Sequence, residues 1–214
     1  MKYDLNQIIL ADCMDIMRDI PDKYFELAIV DPPYGINAEN GTGDYNKALQ
    51  KGKNKKWDKV PDKNYFQELF RISKNQVICG GNYFELSPCR CFVIWYKTDE
   101  IKGRDFSECE YLWTSFDKPS RLFSEKPFMR NGSRIHPTQK PVALYRWLLQ
   151  NYAKPGDKII DTHSGSGSCA IACHIEKHDF LAIEKDPDYH AASVAWLKDC
   201  RLEDLGEKLH GFDL

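Results

Sequence analysis

No run of apolar residues in this 214-residue chain approaches the ~20 that a membrane span requires. The opening Met1-Lys2-Tyr3-Asp4 lacks the apolar core of a signal peptide, so a cytoplasmic protein with no membrane partner is expected. Internal repeats and low-complexity tails are absent, which excludes solenoids and long disordered arms. Eight cysteines are present, at 13, 79, 89, 91, 109, 169, 173 and 200. Cys89/Cys91 and Cys169/Cys173 are not joined by a second pair at zinc-ribbon spacing, so they read as buried or free thiols and no metal is expected. A strong net charge is also lacking: the sum is −2, which by itself does not announce a nucleic-acid binder.

The charge that is there is unevenly placed. Seven lysines lie between Lys47 and Lys63, against Asp58 and Asp62. Seven Lys/Arg lie between Lys118 and Arg146, against Glu125 alone. Around these runs, short apolar segments recur: Ile8–Leu10, Leu27–Val30, Gln76–Cys79, Cys91–Trp95, Tyr111–Trp113, Lys158–Asp161 and Phe180–Glu184. They are continuous rather than alternating, as strands buried on both faces must be. Helical patterns fall between them, over Val142–Tyr152 behind Pro141, over Ser166–Lys177, and from Asp186-Pro187 onward with Tyr189, Ala192, Trp196 and Cys200 on one face. Strands alternating with helices predict one doubly wound α/β domain over 1–214. Residues 35–62 have no apolar period, and a structureless stretch of that length inside a compact domain is usually functional.

Three motifs carry chemistry. Asp31-Pro32-Pro33-Tyr34 ends the second apolar run. Neither proline can extend a ladder, and together they fix a carboxylate just past the strand end, at the edge where open α/β sheets bind ligands. Asp161-Thr162-His163-Ser164-Gly165-Ser166-Gly167-Ser168 links a strand to a helix, and its glycines permit close backbone approach to a ligand. Read alone, Gly165 to Ala170 also fits a dinucleotide fingerprint, with Glu184 placed for ribose hydroxyls, which leaves a nicotinamide- or flavin-dependent oxidoreductase as a competing reading. That reading requires a second βαβ half after Glu184, and only one helix and a short tail follow. No Gly-Lys-Ser/Thr follows the loop, which argues against a triphosphate cradle. Arg134-Ile135-His136-Pro137-Thr138-Gln139-Lys140-Pro141 is the third motif, leading into a helix.

Taken together, these segments resemble the DNA amino-methyltransferases. The Asp-Pro-Pro-Tyr motif comes first, the helix-entry motif next and the cofactor loop last, which is the permuted order of the β class. The resemblance implies a Rossmann-like, seven-stranded, circularly permuted methyltransferase sheet with helices on both faces and one reversed strand among residues 90–116. It implies S-adenosylmethionine as cofactor, leaving S-adenosylhomocysteine, without a metal. An exocyclic amine is a poor nucleophile, and in the family two acceptors draw on its N–H groups: here the Asp31 side chain and the Pro32 carbonyl, held rigid with Pro33. Tyr34 is expected to give the flipped base a stacking face.

The resemblance assigns cofactor contacts to Asp12 with Cys13, to Asp31, to His136, Thr138, Gln139 and Lys140, to Asp161, His163, Ser164, Gly165, Ser166, Gly167 and Ser168, and to Glu184 with Lys185. Asp12 also fits a helix N-cap. Lys140 is expected to face the cofactor carboxylate. His163 departs from the family's usual Phe and Ser168 from its usual Thr. Trp57-Asp58, Gly80-Gly81-Asn82-Tyr83-Phe84 and Trp95-Tyr96-Lys97 are further local matches, the last departing from the usual Trp-Asp-Lys. The implied reaction is site-specific methylation of adenine N6 in double-stranded DNA, because Asp-led motifs mostly mark adenine and Ser-led ones N4-cytosine. An N4-cytosine enzyme is the alternative, with an RNA amine substrate or a non-catalytic DNA-binding relic behind it. Residues 35–62 are expected to close over the site, with Lys51, Lys53, Lys55 and Lys56 clamping phosphate. Residues 116–135 form a short recognition segment, in which Lys118, Arg121, Lys126, Arg130 and Arg134 are expected to contact DNA. Its brevity suggests a partner chain; family members are often dimers, and a restriction endonuclease is a further partner the resemblance implies.

Overall fold

The computed structural model describes residues 2–37, 56–103, 107–127 and 134–204. Lys51, Lys53, Lys55 and Arg130 lie outside them.

Each expected apolar run forms a strand: β1 (Gln7–Leu10), β2 (Phe25–Val30), β3 (Ser73–Cys79), β4 (Phe92–Tyr96), β5 (Cys109–Thr114), β7 (Ile159–Asp161) and β8 (Phe180–Glu184). One further strand, β6 (Arg121–Ser124), makes the sheet eight-stranded rather than seven, in the order β1-β8-β7-β2-β3-β5-β4-β6. β6 pairs parallel to β4 at the sheet edge, so three of its four residues remain exposed. It therefore lacks the apolar run by which the others are read, and it places part of the expected recognition segment in the sheet. β5 runs antiparallel to both β3 and β4, while every other described pairing is parallel, so among the described strands β5 alone is reversed.

The helices are α1 (Cys13–Met17), α2 (Lys63–Ile72), α3 (Val142–Tyr152), α4 (Ser168–Ile175) and α5 (Pro187–Asp204). Asp12 caps α1 by accepting from Met14 N at 3.0 Å, and Asp62 caps α2 by accepting from Tyr65 N at 3.1 Å. Leu144, Leu148, Ile171 and Trp196, from α3, α4 and α5, pack with the core on one face of the sheet. Met17, Tyr65, Leu69 and Ile72, from α1 and α2, pack with the core on the other. In β2, Leu27, Ala28, Ile29 and Val30 are all buried, because both pleat faces are covered.

Chain direction decides where a ligand fits. From β2 the chain crosses through α2 to β3 on one side, whereas from β7 it crosses through α4 to β8 on the other. Since β2 and β7 are neighbours, with Ala28 opposite Ile160, the carboxyl ends of these strands open into a crevice. Asp31 leaves one wall and the glycine-rich loop leaves the other. β1 pairs with β8, where a strand following α5 would otherwise lie, so the permuted order closes the sheet without a gap.

Candidate active site

A cleft of about 1490 Å³ opens at this strand edge. On one side, Asp31 is fixed by two donors. Tyr34 Oη donates to Oδ1 at 2.7 Å, and Lys140 Nζ donates to Oδ2 at 2.5 Å. Each carboxylate oxygen retains a lone pair for a further donor. Lys140 also reaches Tyr34 Oη at 3.1 Å and Glu110 Oε2 at 3.3 Å, while Glu110 Oε1 holds Lys97 at 2.7 Å. Signs alternate along this line, and the Lys140 side chain is only 4% exposed. Burial works against the Lys140 charge, but Asp31 and Glu110 outweigh it and raise its pKa well above the ordinary lysine value. Burial alone would raise Glu110, yet Lys140 and Lys97 pull its pKa down to about 2.

The Tyr34 ring has little room to move. It stacks on Tyr83 with centroids 4.9 Å apart and planes 15° from parallel, and Phe84 meets it edge-on at 6.1 Å. Gly80, at φ +67°, passes so near that a Cβ there would stand 2.2 Å from Tyr34 Cε1.

The opposite wall is the loop between β7 and α4. Gly165 and Gly167 have φ of +51° and +85°, conformations that side chains disfavour. Gly165 N donates to Glu184 Oε2 at 2.7 Å, and Ser164 N donates to the Ile183 carbonyl at 2.9 Å, which ties the loop to the end of β8. The buried Ser164 Oγ has no hydrogen-bond partner among the described residues. An orphaned buried hydroxyl in a glycine cradle is the kind of group a bound ligand satisfies. Burial pushes Asp161 up to about 8 and lowers His163 to about 4, so the imidazole is neutral near pH 7. Its ring packs edge-on against Tyr65 at 5.1 Å, as an apolar ring would, and its Nδ1 lies 3.0 Å from Thr162 Oγ1. Burial raises the Cys13 thiol to about 12, so it is not a thiolate.

The helix-entry segment bridges the two walls. His136 lies between Trp57 and Tyr189, with ring centroids at 5.1 and 4.4 Å, and its Nδ1 is 3.1 Å from Thr138 Oγ1. Gln139 Oε1 accepts from Ile135 N at 2.9 Å, which fixes the turn that buries Lys140. Lys185 Nζ holds Asp12 Oδ2 at 2.9 Å across the rim.

Asp12, Cys13, Asp31, Pro32, Pro33, Tyr34, His136, Thr138, Gln139, Lys140, His163, Ser164, Gly165, Ser166, Glu184 and Lys185 all line the one cleft. Asp161, Gly167 and Ser168 lie behind that lining and shape the loop rather than face the space. Lys140 donates to Asp31, and one face of the Tyr34 ring stacks on Tyr83. Of the expected DNA contacts, Lys56 and Arg134 line the cleft. Lys118, Arg121 and Lys126 do not; Lys118 rests over the Phe116 and Tyr152 rings at 5.2 and 5.4 Å. Sequence reading gave no role to Glu110, Tyr65 or Tyr189. Tyr189 was legible as part of the apolar face of α5, whereas nothing local to Glu110 signals its partners. Among the described residues, no group of three or more His, Cys, Asp or Glu side chains is arranged to hold a metal.

A family model described as DNA methylase matches residues 50–195. The Escherichia coli (strain K12) protein YubD is 24% identical over 210 residues, covering 88% of either chain. The crystal structure of the M1.HpyAVI–SAM complex superposes with a TM-score of 0.58 at 20% identity, over 87% of this chain and 97% of that one. The PvuII DNA methyltransferase (cytosine-N4-specific) superposes with a TM-score of 0.59 at 13% identity, over 97% of both chains. At these identities the structural likenesses establish the fold.

Proposed function

This chain belongs to the DNA methylase family of N6/N4 amino-methyltransferases, and from that premise we propose that it methylates the N6 amine of adenine in double-stranded DNA with S-adenosylmethionine as donor. The single observation that carries the reading is the position of Asp31. It is a rigid carboxylate at the end of β2, across one cleft from the Gly165 loop at the end of β7.

The residues present fit the donor. The glycine cradle with the orphaned Ser164 Oγ suits its methionine part, and Glu184 and Asp12 at the ends of β8 and β1 suit ribose hydroxyls and adenine. When bound, S-adenosylmethionine supplies an electrophilic methyl group on a sulfonium. Asp31 would then accept from one N–H of the target amine and the Pro32 carbonyl from the other, drawing electron density onto the nitrogen; as the nitrogen–methyl bond formed, the methyl–sulfur bond would break and one amine proton would pass to water. Both acceptors are fixed before substrate arrives, so no reorganisation is needed at the transition state. The base must leave the duplex to reach them. It then stacks on the platform of Tyr34 and Tyr83, whose outer member, Tyr83, is 41% exposed. Lys56 and Arg134 at the cleft rim take the phosphates beside the extruded nucleotide. The choice of adenine rests on the Asp-led motif.

Labelled S-adenosylmethionine and mixed duplex DNA, followed by nucleoside analysis, test the reading. N6-methyladenine is expected, with Asp31→Ala lowering incorporation by about 10²-fold or more. N4-methylcytosine as the product would overturn the choice of base. Incorporation that survives Asp31→Ala would overturn the role of the carboxylate.

A further inference from the structure

We propose that Glu110, on the reversed strand β5, is a positioning residue for methyl transfer: by offsetting the Lys140 and Lys97 ammonium groups, it sets how strongly the Asp31 carboxylate attracts the substrate amine. The proposal rests on the methyltransferase reading above and adds to it a residue 79 positions from Asp31 in sequence (110 − 31).

Four charged groups stand in a line that lines the cleft: Asp31, Lys140, Glu110 and Lys97. The separations along it are 2.5, 3.3 and 2.7 Å. The Glu110 side chain is 20% exposed and that of Lys97 14%. Removing four charges from water carries a desolvation penalty, and apolar residues of similar volume commonly do as well for stability alone. Such a line at the reacting corner therefore calls for a chemical reason.

Geometry supplies one. Without Glu110, two ammonium groups would stand against the one Asp31 carboxylate and weaken it as an acceptor just where the amine must be activated. The second carboxylate offsets the added cation, leaving the set neutral. Tyr34 Oη, 3.4 Å from Glu110 Oε2 and 2.7 Å from Asp31 Oδ1, is held by the same arrangement. During transfer, positive charge moves from the sulfonium toward the amine nitrogen facing Asp31. A cluster with one excess cation opposes that movement, and a neutral one does not.

The test uses the 214-residue chain and reads the single-turnover methyl-transfer rate at saturating cofactor and DNA. Glu110→Gln keeps the shape and leaves the cluster at net +1; its rate is expected to fall about tenfold with little change in cofactor affinity. Glu110→Gln combined with Lys97→Met restores neutrality and recovers most of the loss. If Glu110 served only packing, the double variant would be no better than the single one. A wild-type rate in Glu110→Gln, or a double variant without recovery, overturns the proposal. If Glu110→Gln does not fold, Lys97→Met alone decides. It makes the cluster net negative and is expected to raise the rate about threefold, and the absence of a rise overturns the proposal. A wild-type chain without methyl transfer would sink the methyltransferase reading and this proposal together, whereas an active wild type with an indifferent Glu110→Gln sinks the proposal alone.

Discussion

Replacing Lys140 with methionine removes the cation at the centre of the site while keeping a stem of similar length. The ammonium it deletes is 4% exposed and within 3.3 Å of oxygens on Asp31, Tyr34 and Glu110. Deleting one partner of a buried ion pair destabilises by about 3–5 kcal/mol, because the other charge stays buried and uncompensated. The carboxylates left behind are 18% and 20% exposed, so water offsets part of this and the lower end of the range applies. For a domain of this length each kcal/mol moves Tm by about 2–4 °C, which puts the loss at roughly 6–12 °C at pH 7. The pH dependence is equally specific. Glu110 titrates at about 2 in the folded chain, below its ordinary value of 4.5. Its ionic contribution is therefore fully present above about pH 4.5 and is lost as pH falls through 2. The variant keeps only the Lys97 part of that contribution, so its deficit against wild type is widest at neutral pH and narrows on acidification. Calorimetric melts of both chains between pH 7 and pH 3 measure it. Melting points within 2 °C of each other at pH 7, or a gap that widens toward acid, would refute the reasoning.

Gly80→Ala puts a methyl group into the Tyr34 ring at a φ of +67°. Left-handed strain of about 1–2 kcal/mol adds to the displacement of Tyr34, so Tm should drop by roughly 5 °C and methyl transfer should slow as the Tyr34–Asp31 hydrogen bond breaks. A variant structure with that ring unmoved would contradict this. His163 titrates at about 4 when folded, below its ordinary 6.5, so wild type loses stability as pH falls through that window. His163→Phe removes the titration. It should melt on the order of 5 °C higher than wild type at pH 5, with the difference shrinking above pH 7; a constant offset across this range would show that the imidazole is not the cause.

Seven strands were legible because each carries a continuous apolar run, most complete where both faces are covered, as in β2. β6 was not legible, since Leu122 and Phe123 are its only apolar residues and Leu122 is 65% exposed at the edge. Helix α2 escaped notice behind the lysine-rich segment, although Tyr65, Leu69 and Ile72 carry its buried face at helical spacing. For the site, Asp31 and the Gly165 loop are readable because chain-breaking prolines and glycines mark where strands stop. The Lys140–Asp31 contact spans 109 positions, and the Glu110 contacts depend on the reversal of β5. No spacing rule encodes either, so Lys140 was expected on the cofactor and Glu110 drew no attention.

Strand β1 precedes every other described strand in the chain, yet its partner in the sheet is the one that comes last among them. Its partner β8 lies more than 170 positions downstream, with Asn6 bonded to Asp179 at a separation of 173. At ribosomal speeds of about 5–20 residues per second, the nascent segment waits roughly 9–35 s before pairing is possible. Asp12 rides on the end of that strand, so the corner it completes comes together only after β8 has been made. Until then the growing chain carries Asp31 without the rest of its pocket.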